Sequence, residues 1–62
     1  METFHLETPT ASLDAEESND LAGNPAVLLT SKARDQLVEV LLDRDAVREF
    51  MDWLARWEDA HR

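Results

Sequence analysis

Apolar residues are sparse and isolated over the first third of this chain and dense from Ala26 onward. Near the start, Phe4 and Leu6 alternate with polar neighbours in a faint strand pattern that Pro9 stops, and so short a piece persists only if another strand offers it an edge. From Thr10 to Gly23 the residues are small and acidic, with Leu13 and Leu21 the only large apolar groups. Their burial is too small to offset the ordering entropy of the segment. The pattern therefore predicts a mostly disordered acidic tail over 1–23, with at most a transient helix opening near Thr10 or Ser12 and closing at Gly23.

Asn24-Pro25 marks a turn, because proline pushes its predecessor out of helical geometry and suits the first turn of a new element. Ala26 to Leu29 is an apolar patch that either docks onto later elements or begins the next one early. With Thr30 or Ser31 as N-cap, a helix is predicted over about 31–42, carrying Ala33, Leu37, Val40 and Leu41 on one face and widened by Val38 and Leu42.

Asp43-Arg44-Asp45 interrupts that pattern. An unbroken helix would set Arg44 four residues from Arg48 and Asp45 four from Glu49, two like-charge pairs, whereas a cap at Asp43 or Asp45 starts a second helix over about 46–60. There Val47, Phe50, Leu54 and Trp57 follow the spacing of a packed helical seam, flanked by Met51 and Trp53. Asp52 before Arg56 and Glu58 before Arg62 place acid ahead of base on the outer face. The predicted fold class is all-α, a disordered acidic tail over 1–23 followed by a two-helix hairpin within 24–62. One long bent helix is the alternative, since no glycine or proline enforces the break.

Size and charge sharpen this expectation. A chain of 62 residues is close to the limit at which one core sustains itself, and without cysteine no disulfide or thiolate zinc site is there to add stability. Two helices alone cannot fully bury each other's apolar faces, so association is expected. The formal charge is −8, and residues 1–29 contain six carboxylates and no lysine or arginine. Such a field repels nucleic-acid phosphates, so direct DNA binding is not expected. One lysine against five arginines and fourteen carboxylates also fits a salt-adapted proteome, in which screening weakens that repulsion. The longest apolar run, Ala26 to Leu29, is too short to span a bilayer, and no basic-then-apolar leader opens the sequence. A cytoplasmic location is the expectation.

The run from Asn24 through Leu29, Thr30-Ser31-Lys32-Ala33-Arg34, and on to Leu41-Leu42-Asp43 resembles the opening of winged-helix transcription regulators of halophilic archaea. In that family a short apolar lead and a similar "SKAR" start precede a first helix ending in a leucine pair and an acid. The resemblance implies a helix-turn-helix ancestry and stops at Asp43, before any recognition helix or wing. Arg44, Arg48 and Arg56 alternate with Asp45, Glu49, Asp52 and Glu58, so no basic reading surface follows. A truncated relative acting through an intact homologue is the role it implies.

Few residues suggest other chemistry. His5 between Glu2 and Glu7 makes a poor metal cage, and His61 beside Glu58 reads as a solvated residue. The cluster Asp14, Glu16, Glu17 and Asp20 lacks the glycine and closing glutamate of a calcium loop. Ser12 and Ser18 among acids are candidate phosphorylation sites. No catalytic constellation and no glycine-rich phosphate loop is present, so neither enzyme activity nor a cofactor or metal is expected. An acid-rich polar face disfavours a membrane-surface helix. The expected function is a small acidic, regulatory protein-protein interaction module that binds itself as a homodimer, or another helical protein, through Val47, Phe50, Met51, Trp53, Leu54 and Trp57.

Overall fold

The computed structural model describes all residues, Met1–Arg62, and its architecture is a sheet followed by one helix. Strands β1 (Phe4–Glu7), β2 (Ser12–Asn19), β3 (Pro25–Ala33) and β4 (Gln36–Asp43) form an antiparallel meander in the order β1-β2-β3-β4, and helix α1 occupies Arg44–Ala60. The all-α expectation is thereby overturned. Neither the two-helix hairpin nor the single bent helix is present, because residues 31–42 form parts of two paired strands and the turn between them, and the acidic segment 12–19 is an interior strand.

The physical reason lies in pairing. Residues 37–42 satisfy a helical period through Leu37, Val40 and Leu41, but Val38, Val40 and Leu42 also satisfy a period of two. Their β-branched members fit a pleated surface, and a matching run at Val27 and Leu29 stands opposite, with Val27 facing Leu42 and Leu29 facing Val40. The helix predicted over 31–42 from its cap and apolar period, which the winged-helix resemblance also implied, is thus replaced by the two strands of a hairpin. β2 is poor in apolar groups but has a strand on each side, so its backbone donors and acceptors are taken up by β1 and β3. The alternation at Phe4 and Leu6 becomes β1 because β2 supplies its edge.

Each turn has a local cause. Thr8 Oγ1 accepts from the Ala11 amide at 3.0 Å, closing the link between β1 and β2. Between β2 and β3, Asp20 Oδ1 accepts from the Ala22 and Asn24 amides at 2.9 and 2.8 Å, while Gly23 takes φ +85°. The Asn24 amide hydrogen bond, first among several, holds the Asp20 carboxyl below its usual pKa. Arg34-Asp35 joins β3 to β4 as a two-residue loop, and Arg34 adopts φ +57°. At the end of β4, Asp43 leaves the sheet as the N-cap of α1, its Oδ1 accepting from the Ala46 amide at 2.8 Å.

Residues opposite one another in this register share a face. One face gathers Phe4, Leu6, Leu13, Ala15, Val27, Leu29, Val38, Val40 and Leu42, with Glu17 its only charged strand residue. The opposite face carries His5, Glu7, Asp14, Glu16, Lys32 and Glu39, along with Ala26, Leu28, Leu37 and Leu41. What the fold lacks is a core. Ala26, at 7% exposure, is the only buried residue of the chain.

Candidate functional site

The side chains of interest lie on α1. Its backbone closes on itself, its outer side carries the ion pair Asp52–Arg56, and Glu58–Arg62 pairs at the margin of the apolar side in the last turn. At the C-terminal end the His61 ring stacks on Trp57 with centroids 4.4 Å apart, and His61 Nδ1 lies 2.8 Å from the Trp57 carbonyl oxygen. At 3.6 residues per turn, Val47, Phe50, Met51, Trp53, Leu54 and Trp57, together with Ala46 and Ala60, cover an arc of about 180°, wider than the stripe of about 100° that a helix lying on one surface requires.

All six residues proposed from sequence as an association surface fall on that arc. Val47 is half-buried where α1 meets β3 and β4, but further along Phe50 and Leu54 are 43% exposed, Trp57 50%, Trp53 53% and Met51 63%. The helix touches the sheet with its first turns and leaves the rest of its seam uncovered.

The sheet contributes a second surface that residue periodicity alone did not single out. Phe4, Leu6, Val38 and Val40 on its apolar face are all exposed. Between the two surfaces lies an open cleft of about 390 Å³, bordered by Val27 from the sheet and by Val47 and Met51 from the helix. Glu17, Arg44 and Arg48 stand at its rim. The signal that identifies the sheet half is the period of two at Val27/Leu29 and Val38/Val40/Leu42, obscured in the sequence by the helical reading of the same residues.

Other candidate groups are dispersed or engaged. His5 stands opposite Asp14, its Nδ1 2.5 Å from Asp14 Oδ1 and its Nε2 3.2 Å from Glu7 Oε1. Hydrogen bonding to Asp14 first and to Glu7 second raises its pKa above the usual 6.5. Glu17 pairs with the N-terminal amine at 3.3 Å. Ser12 and Ser18 are half-buried within β2. No group of three or more His, Asp or Glu side chains converges in a way that would hold a metal ion. No helix is long and apolar enough to cross a membrane.

Comparison of the chain with protein-family models, with characterised proteins and with solved structures gave no match.

Proposed function

We propose that this protein is an association module, which completes its core by burying the seam of α1, and the sheet face beside it, against protein. The observation that carries this reading is the imbalance between backbone and side chains. Every interior strand is paired and the helix is capped, yet only Ala26 is buried and thirteen large apolar residues stand exposed. Nine of the thirteen lie on the sheet face and the α1 seam, monomeric proteins rarely leave that much clustered apolar surface in water, and Trp and Phe are the side chains that contribute most where interfaces are desolvated. An acidic polar surface keeps such a module soluble while the apolar surfaces find their counterpart.

Trp53 and Trp57 are the only tryptophans of the chain, so their fluorescence reports directly on the seam. In a dilution series the emission is expected to shift red, and cooperative melting to be lost, as the chain separates from its counterpart. A chain that stays monomeric, melts cooperatively and keeps buried tryptophans when dilute would end this reading.

A further inference from the structure

We infer that the counterpart is a second copy of this chain, with α1 of each copy seated on the apolar sheet face of the other. This rests on the association reading above and names its occupant. The first argument is area. A compact monomer of 7.1 kDa exposes about 4,100 Å² by the scaling of folded chains, whereas this one exposes 5556 Å². Its radius of gyration is likewise 13.2 Å against about 10.6 Å for a compact chain of this length. Removing an excess of roughly 1,450 Å² from each of two copies buries about 2,900 Å², within the range of obligate homodimers.

The second argument is complementarity. The two largest apolar surfaces are one sheet face and one helix arc, and each chain supplies both, so a two-fold exchange covers both at once and leaves out only Leu21, Leu37, Leu41 and Met1 of the exposed apolar residues. Lengths agree as well: a 17-residue helix runs about 25 Å and an eight-residue strand about 27 Å. The width of the apolar arc on α1 then has a use, one side meeting the partner's sheet and the other meeting the partner's helix.

Charge sets the conditions. Each copy carries −8, which opposes pairing, but the strand charges lie mainly on the opposite sheet face, and the apolar face holds only Glu17. Arg44 and Arg48, without a carboxylate within 4 Å in the single chain, line the cleft that Glu17 also lines. Dimerisation should therefore strengthen with salt as the general repulsion is screened.

The absence of cysteine makes the arrangement testable by site-directed cross-linking. The wild-type chain should sediment at twice its monomer mass at about 1 M salt, where screening extends only about 3 Å. Co-refolded Leu29→Cys and Leu54→Cys chains should then oxidise to a mixed dimer in preference to either self-pair. Isotope-filtered NMR on mixed labelled and unlabelled wild-type chains, which needs no substitution, should show contacts between the Leu29 methyls and the α1 seam only across copies. Three results would overturn the proposal: contacts confined within one chain, dimers that cross-link through Glu39→Cys on the β4 edge but not through the mixed pair, or a wild-type monomer. A monomer that is folded and cooperative also removes the association reading. One that is poorly ordered removes only the second copy, and leaves a different protein as the counterpart.

Discussion

β3 and α1 each carry a run of large apolar side chains, and they reach opposite halves of a folded state. β3 has a strand on each side, so its backbone is satisfied by neighbours, and Val27, Leu28 and Leu29 are half-buried by the same pairing. α1 satisfies its backbone internally and so places no demand on its neighbours, and its side chains from Phe50 to Trp57 remain in water. Hydrogen bonding and apolar burial are thus separable. A sheet delivers some of the second with the first, whereas a lone helix delivers none.

The sharpest way to break this comparison is to strip the seam. Removing an aromatic side chain from a packed core costs about 3–5 kcal/mol, whereas a substitution on an open surface stays within about 0.5 kcal/mol. Phe50→Ala and Trp57→Ala should therefore each cost about 3 kcal/mol in denaturant titrations at high protein concentration. Values near zero would mean that the helix works as it stands, uncovered.

A smaller but more specific effect should link the two regions. If the sheet face and the seam form one core, Leu29→Ala and Leu54→Ala share partners, and their combined cost should depart from additivity by about 1 kcal/mol. Strict additivity in the double-mutant cycle would place the two surfaces in separate environments.

The cap between the regions comes next. Asp43 ends β4 and starts α1, and its carboxylate satisfies the Ala46 amide. Asp43→Ala should cost about 1 kcal/mol, while Asp43→Asn should recover most of it. Equal losses in both variants would assign the effect to charge rather than to the cap.

What was legible in the sequence follows the same division. The helix, a cap at Asp43 or Asp45 and the Asp52–Arg56 and Glu58–Arg62 pairs are visible because they depend on residues within one turn of each other, and the structure selects Asp43 as the cap and starts the helix at Arg44. The apolar seam was legible for the same reason. The sheet was not, because its causes act across the chain. Glu16 and Glu17 belong to a strand only because Leu28 and Val27 stand opposite them, and no local property of an acidic segment announces that. Residues 37–42 fit both periods, so only the partner run at 26–30 decides between them. The hairpin loop hid as well, since Arg34-Asp35 lacks the glycine or asparagine that usually marks a two-residue turn. With the sheet unseen, half of the candidate surface was unseen too.

That loop offers a modest test of its own. A non-glycine residue in the left-handed region costs about 1–2 kcal/mol, partly offset for glycine by the freedom it gains when unfolded. Arg34→Gly should raise stability by about 0.5 kcal/mol. A clear loss would mean that the Arg34 side chain contributes contacts that outweigh its backbone strain.

The weakest effect should come from His5, because it lies at the exposed edge of the sheet, where ion pairs are screened by water and salt. Its pKa is raised above 6.5, first by the hydrogen bond with Asp14 and then by that with Glu7. A proton held more tightly in the folded state contributes stability that is fully present below the unfolded pKa. That contribution is lost as pH rises above 6.5 through the folded value. The difference in melting temperature between the wild-type chain and His5→Gln should therefore shrink from pH 5.5 to pH 9. The loss should register mainly as faster amide exchange in β1, which has only β2 to hold it, whereas α1 should be indifferent. A helix that responded to this proton as strongly as the strand would tie the two regions more closely than their few shared contacts allow.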